Sequence, residues 1–131
     1  MSRQNVEVVQ AIYERWQRGD FSSVDWADPE IEYTAVGALD ETTYRGPEAM
    51  ADAWADWLRA FDDFHVGAAE FHDAGDQVVA INYFGGSGHS SGIPIEETRG
   101  AARFTIRDGK VVELAIYLDA NRALRDAGIG R

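Results

Sequence analysis

The sequence contains no cysteine, and this is the first of several shortages that narrow its possible functions. Without cysteine, the 131 residues hold no disulfide, no thiolate metal site and no cysteine nucleophile. Basic residues are also scarce: 12 Lys and Arg stand against 23 Asp and Glu, which gives a net charge of −11. That sign is wrong for binding phosphate backbones or anionic lipid. We therefore expect neither nucleic acid nor a membrane as a partner.

Long apolar runs and linker segments are missing as well. No window approaches the roughly 18 uninterrupted apolar residues of a membrane span, and the first residues, MSRQNVEV, are too polar for a signal segment. We expect a soluble, cytoplasmic protein. The one biased segment, Gly85 to Gly92, is too short to separate two domains. Residues 1–131 are therefore predicted to form a single domain.

The overall composition is that of a soluble globular protein. Hydrophobic residues make up 45% and charged residues 27%, close to the usual shares of about 45 to 50% and about 25%. The aromatic residues are four Trp, five Tyr and six Phe. They supply enough large side chains for a core that needs no disulfides.

The first half of the chain reads mainly as helices. Apolar residues recur at three- and four-residue steps over residues 3–18, which predicts an amphipathic helix. Asp20 is placed to cap a short second helix that Pro29 ends. A strand is predicted over residues 31–36. A third helix begins at Pro47 and carries a continuous apolar stripe.

From Phe64 onward the apolar period changes to two, which is typical of strands. Turn-forming residues divide residues 64–118 into four strands connected as hairpins. Asp119 then precedes a short helix that Gly128 can close. Antiparallel strands grouped after helices predict an α+β fold, with the helices packed on one face of a curved, mostly antiparallel sheet.

Four segments of the sequence carry a resemblance to a known family. They are YRGPEAMADAWADWL, HDAGDQVV, FTIRDGKVVEL and YLDANRALRDAGI. With them the chain, from about residue 4 to 128, resembles the nuclear transport factor 2-like superfamily, in its SnoaL-like, ketosteroid isomerase-like branch. The resemblance implies a cone-shaped sheet wrapped around N-terminal helices, a largely apolar pocket, and a homodimer formed through the outer sheet face.

The resemblance does not carry the isomerases' catalytic residues to this chain. Their general base aligns with Thr34, their oxyanion-stabilising Tyr with Ile12, and their second acid with a position near Ala102. Tyr13 follows Ile12 but points about 100° away on a helix. The catalytic Asp of the polyketide cyclases aligns near Ile116. Steroid isomerisation by the known route is therefore not expected.

Two other residues are candidates for proton transfer. If Thr34 faces the cavity, strand alternation places Glu32 on the same side, where an apolar surrounding would raise the pKa of its carboxyl group. The alternative is that Glu32 lies at the polar edge and pairs with an Arg such as Arg99 or Arg103. His65 is the second candidate, because an imidazole titrates near neutral pH; the alternative is a polar strand residue.

The remaining polar residues favour simpler interpretations. His72 and the loop residues Asp40 and Glu41 are expected to be solvated, and His89 to lie in a long hairpin connection. The three His show neither two-His helical spacing nor a ligand motif. We therefore predict no metal and no cofactor.

Ligand binding is predicted for residues that the resemblance places at the pocket. Trp54 and Trp57 lie on the third helix, which faces the cavity in the isomerases, and Asn82 is a further polar neighbour. The other predicted ligand-binding residues are Thr34, Tyr83, Phe104, Leu114 and Ile116. A mostly apolar set with a few polar groups predicts a small hydrophobic or polycyclic ligand.

Three functions remain open at this point. The first is proton-transfer catalysis as an isomerase, cyclase, hydrolase or dehydratase. The second is non-catalytic binding of a small molecule. The third is a dimeric interaction module whose cavity is filled by its own side chains. The pocket positions depend on strand parity, and one bulge would exchange the inward and outward residues.

Overall fold

The computed structural model describes residues 2–21, 23–36, 42–59, 61–88 and 94–128. Within them, three helices accompany six strands of a single sheet. The elements are α1 (Ser2–Gln17), β1 (Ala27–Val36), β2 (Thr43–Arg45), α2 (Pro47–Leu58), β3 (Phe61–Ala74), β4 (Gln77–Gly88), β5 (Pro94–Arg107), β6 (Lys110–Tyr117) and α3 (Ala120–Asp126). The sheet order is β2-β1-β6-β5-β4-β3, in which only the β1 and β6 pair runs parallel. The predicted α+β class is confirmed.

Helix α1 lies across the concave face of the sheet. Its buried side chains are Val9, Ile12, Tyr13 and Trp16, which follow the predicted helical spacing. After Gln17 the chain turns at Gly19, whose φ of 85° is one that glycine adopts without strain. Helix α2 begins at Pro47, as predicted, and packs against β1.

The short second helix predicted between Asp20 and Pro29 is wrong. In the described part of this segment, Asp20 accepts bonds from the Ser23 amide and hydroxyl, and the Trp26 indole donates to the Ser23 carbonyl. These local side-chain bonds offer the segment an alternative to helical hydrogen bonds, and the chain forms turns here. The next strand therefore starts at Ala27, four residues earlier than predicted, and includes Pro29.

The hairpins follow the predicted turn signals. Gly75 has a φ of 82°, and it connects β3 to β4. Asp108 and Gly109 have φ values of 53° and 78° and connect β5 to β6. Two consecutive positive φ values are typical of the tight turn that suits the twist of antiparallel strands.

The sheet separates two hydrophobic clusters. The larger one lies on the inner, concave face and joins α1 and α2 to the strands. The smaller one lies on the outer face, where α3 covers buried side chains such as Val79, Ile81 and Ala115. The Tyr117 hydroxyl fastens this helix, because it accepts from Arg103 Nε at 3.1 Å and donates to Asp126 Oδ2 at 2.8 Å.

No helix among the described residues combines the length and the apolar character that crossing a bilayer requires.

The N-cap of α3 gives a stability prediction. Asp119 Oδ1 accepts bonds from the backbone amides of Asn121 (2.9 Å) and Arg122 (3.4 Å). We expect Asp119→Ala to lower the free energy of unfolding by about 1 kcal/mol, because two helix-terminal amides lose their partner. Urea unfolding followed by circular dichroism measures this. Asp52→Ala, at an exposed position within α2, is the control and is expected to change stability by less than about 0.5 kcal/mol. Equal stability of the two variants would contradict the capping role.

Candidate functional site

A cavity of about 230 Å³ lies between the helices and the inner face of the sheet. Helix α1, helix α2 and strands β1, β3, β4 and β6 all contribute to its wall. Its lining residues are Trp16, Phe21, Tyr33, Ala35, Val36, Trp54, Leu58, Phe64, Val66, Asn82, Phe84, Ile116, Tyr117 and Leu118. Leu118 is 59% exposed, so the cavity reaches the protein surface on its side.

Aromatic rings hold each other in place along this wall. The rings of Trp16 and Trp54 meet edge to face, 5.5 Å apart, and the Tyr33 ring meets Trp54 at 5.9 Å. Near the chain turn that follows α1, the rings of Phe21 and Phe64 lie 5.7 Å apart. Such edge-to-face and tilted pairs are the arrangements that aromatic rings prefer. The wall is therefore preorganised and offers flat apolar surfaces to a ligand.

The volume of the cavity limits what it can hold. Pockets for drug-sized molecules usually measure about 300 to 1,000 Å³, and this cavity is smaller. It is still several times larger than the roughly 30 Å³ that one water molecule occupies in the liquid. A molecule of one or two rings fits this volume better than a large polycyclic one.

Asn82 is a polar side chain of the cavity wall that is held in place by burial and by a hydrogen bond. It is only 6% exposed, and its Nδ2 donates a hydrogen bond to the Tyr13 hydroxyl at 2.7 Å. Tyr13 is itself 1% exposed. Burial raises the pKa of Tyr13 well above its ordinary value, although the bond from Asn82 acts in the opposite direction. The tyrosine is therefore neutral at physiological pH and anchors the amide.

Tyr33 adds a second polar group to the lining. Burial raises the pKa of its hydroxyl, while a hydrogen bond from the Trp54 side chain acts to lower it. Because the indole N–H is the donor in that bond, the Tyr33 hydroxyl keeps its own proton for donation. Tyr33 can thus serve as a neutral hydrogen-bond donor.

Of the residues predicted at the pocket, the structure brings three to the cavity. These are Trp54, Ile116 and the polar neighbour Asn82, and their contact with a ligand stays a prediction. Phe104 and Leu114 also face inward, but both are 0% exposed and belong to the core rather than to the cavity lining. The side chain of Trp57 lies outside the described part of the structure.

Four predicted site residues lie on the other face of the sheet, so their predicted direction is wrong. Glu32 and Thr34 alternate with Tyr33 and Ala35, and it is Tyr33 and Ala35 that line the cavity. Tyr83 alternates with Asn82 in the same way and is 37% exposed. His65 is exposed and lies between the lining residues Phe64 and Val66.

The outward residues have partners of their own. Glu32 forms an ion pair with Arg45 of β2, with Arg45 Nη2 at 2.6 Å from Glu32 Oε2, rather than with Arg99 or Arg103. The Thr34 and Thr43 hydroxyls are 2.7 Å apart across the same strand pair. These cross-strand contacts show that Glu32 lies at the exposed edge of the sheet. The alternative interpretation of Glu32 as a paired edge residue is the one that its geometry matches.

The residues that were expected to be solvated or to lie in loops are only partly described by the structure. His72 Nε2 lies 2.9 Å from Glu70 Oε1 on β3, while Asp40, Glu41 and His89 lie outside the described residues. Among the residues that are described, no three His, Asp or Glu side chains come together in a way that could hold a metal ion. Ile12 and Ala102, at the isomerase-aligned positions, are buried in the core.

The cavity residues that sequence reasoning missed include Tyr33, Ala35 and Phe84. A signal for the first two was present, because Tyr33 is flanked by the polar residues Glu32 and Thr34. On a half-buried strand, this alternation predicts that the tyrosine faces inward. The alignment with the isomerases placed Thr34 inward instead, and the sequence pattern was the better guide.

The protein has an α+β fold in which a curved sheet holds two helices and an apolar cavity on its concave face. Solved structures of other proteins have the same fold, and three of them illustrate it. An NTF2-like protein from Burkholderia thailandensis E264 is 23% identical, with a TM-score of 0.78 over 95% of this chain and 97% of that one. A candidate SnoaL-like polyketide cyclase from Jannaschia sp. CCS1 is 19% identical, with a TM-score of 0.75 over 99% and 95% of the two chains. TerC, co-crystallized with polyporic acid, is 19% identical, with a TM-score of 0.76 over 95% and 97%.

The family follows from the sequence itself. Residues 9–114, which are most of the chain, match the SnoaL-like domain. The chain therefore belongs to the SnoaL-like domain family, as the resemblance implied, and its fold is similar to that of NTF2-like proteins. A search of curated proteins found no significant match.

Burial of Tyr13 gives a prediction on pH dependence. Its pKa is raised in the folded state, so its contribution to stability is complete below the ordinary value of 10.0 and is lost as the pH rises above that value. We expect Tyr13→Phe to be less stable than the wild type at pH 7, since Asn82 loses its partner, but to lose less stability between about pH 9 and pH 11. Thermal unfolding across this range measures both effects.

The control for this experiment is Tyr44→Phe, which alters a tyrosine that is 38% exposed. This variant is expected to follow the wild-type curve. If Tyr13→Phe also followed the wild-type curve, burial of the Tyr13 hydroxyl would not be a source of the alkaline loss.

Proposed function

We propose that this protein binds one small, mostly apolar molecule of one or two rings in the cavity. The observation that carries the proposal is the preformed aromatic wall, which encloses a volume large enough for such a molecule and contains a buried amide. Concave, mostly apolar cavities with a few placed polar groups are the usual form of small-molecule sites. The third function, a module with a filled cavity, fits this open volume less well.

The similar structures support binding at the level of the fold. TerC was co-crystallized with polyporic acid, and its chain has the same architecture. At 19% identity this likeness concerns the fold alone, so the identity of the ligand must come from the cavity of this chain.

Proton-transfer chemistry on the bound molecule is the second candidate function. The likeness to a candidate polyketide cyclase favours it. Such chemistry needs an acid or base within hydrogen-bond reach of the reacting atoms. In the described part of the cavity wall, the ionisable side chains are those of tyrosines, and both Glu32 and His65 lie outside it. We therefore place binding before catalysis.

A homodimer and a cytoplasmic location stay predictions. The dimer was expected to cover the outer sheet face, and α3 of the same chain already covers part of the apolar side chains there. Tyr83 remains 37% exposed on that face. A dimer would therefore use a smaller and more polar area than an uncovered sheet would offer.

Filling the cavity tests the proposed binding. Ala35 lines the cavity, so Ala35→Leu places three additional carbon atoms in the space of the ligand. With 2-methoxynaphthalene as the probe in equilibrium dialysis, we expect saturable binding to the wild type and at least about tenfold weaker binding to this variant. Ala74→Leu is the matched control. Ala74 lies beside the β3–β4 turn, at the end of these two strands that is far from the cavity-lining residues Phe64 and Phe84.

Two outcomes of this experiment would contradict the proposal. One is the absence of saturable binding to the wild type, and the other is an equal loss of binding in Ala35→Leu and Ala74→Leu. Circular dichroism of each variant establishes that it is folded.

The outward position of the predicted catalytic residues gives a further test. We expect Glu32→Gln and His65→Ala to bind 2-methoxynaphthalene within about twofold of the wild type, because neither side chain lines the cavity. A loss of more than about tenfold in either variant would place that residue at the binding site after all. Recovery of the probe unchanged after prolonged incubation distinguishes stoichiometric binding from turnover.

A further inference from the structure

Asn82 is unusual among the polar side chains of this protein. Apart from tyrosines and tryptophans, Asn82 is the only polar residue that is buried in the described part of the chain, with 6% of its surface exposed. It also lines the cavity. Buried amides normally use their hydrogen-bonding groups, because an unpaired one costs free energy.

The Asn82 amide uses only part of its capacity within the protein. Nδ2 donates to the Tyr13 hydroxyl at 2.7 Å. No second side-chain bond of Asn82 is found among the described residues, which leaves the carbonyl oxygen Oδ1 without a partner there. A primary amide oxygen has two lone pairs for hydrogen bonds. The cavity therefore presents an unused acceptor.

The packing of Tyr13 holds the Asn82 amide, and therefore its oxygen, in position. Tyr13 is packed edge to face against Trp16 at 4.9 Å, Phe71 at 6.0 Å and Phe104 at 6.1 Å. Its hydroxyl can move little, and the amide that donates to it is held in turn. Binding to a preorganised group loses less entropy than binding to a mobile one.

Asn82 has two cross-strand neighbours, Ala68 of β3 and Gly100 of β5. Both are small, and Gly100 places no side chain beside the amide oxygen. A Cβ atom at Gly100 would lie 3.4 Å from Asn82 Oδ1 and only 2.7 Å from the Tyr117 carbonyl oxygen. Glycine at this position thus avoids a clash with the backbone and also leaves space beside the amide oxygen.

From these observations we infer that the ligand carries a hydroxyl group that donates to Asn82 Oδ1, so that Asn82 determines specificity for small aromatic alcohols or phenols. The inference rests on the proposed binding function. An ammonium group would also donate, but the described cavity wall has no carboxylate to balance its charge. A neutral hydroxyl on an apolar ring satisfies the amide without burying a charge.

Two probes of similar size test this inference. The hydroxyl of 2-naphthol donates and accepts, whereas the ether oxygen of 2-methoxynaphthalene only accepts. In equilibrium dialysis with the wild type, we expect 2-naphthol to bind at least about tenfold more tightly. Because this comparison uses the unchanged protein, it does not depend on the folding of any variant.

Two variants then locate the preference at the amide. Asn82→Leu keeps a side chain of similar size without polar atoms, and we expect it to bind both probes equally while still binding 2-methoxynaphthalene. Tyr13→Phe removes the group that holds the amide, and a smaller preference is expected. The control Ala74→Leu should keep the full preference of the wild type.

The outcomes separate this inference from the proposed function. Equal binding of both probes to the wild type, or tighter binding of 2-methoxynaphthalene, would overturn the role of Asn82 and leave the binding function intact. A preference for 2-naphthol that persists in Asn82→Leu would assign the selection to another group. If neither probe binds the wild type, the binding function fails, and the inference fails with it.

Discussion

The arrangement of this protein depends on the aromatic contacts around Trp16. From its place on α1, this side chain meets Tyr13 on the same helix, Trp26 before β1, Trp54 on α2 and Phe104 on β5. One buried ring system thus joins both long helices to the sheet. Aromatic side chains bury large areas and pack in few geometries. The aromatic wall of the cavity results from this packing.

Most of the fold could be predicted from the sequence, because each main element has a local signal. The spacing of Val9, Ile12 and Trp16 indicated α1, and Pro47 marked the beginning of α2. The short helix after Asp20 could not be excluded in this way. Its residues are compatible with a helix, and the packing of Trp26 against Trp16 and Trp54, which the local pattern does not show, favours turns.

The candidate site was harder to predict, since it depends on which side of each strand faces inward. A shift of one residue exchanges the two faces completely. Aligning Thr34 with a catalytic residue of distant relatives placed Glu32 inward, whereas the structure has Tyr33 and Ala35 there. Helix-borne residues such as Trp54 were less affected, because a helical stripe is broad and tolerates an error of one position. The pairing of Asn82 with Tyr13 joins residues 69 positions apart and has no local signal.

The close grouping of Trp16, Trp26 and Trp54 has an optical consequence. Their ring centroids lie 5.5 to 6.2 Å apart, and two of the three indoles line the cavity. At such separations, excitation passes readily between indoles, so that the emission comes largely from whichever ring has the lowest excited state. A molecule placed against Trp54 would therefore alter the fluorescence of the whole group. The protein carries its own reporter of cavity occupancy, and no dye needs to be attached.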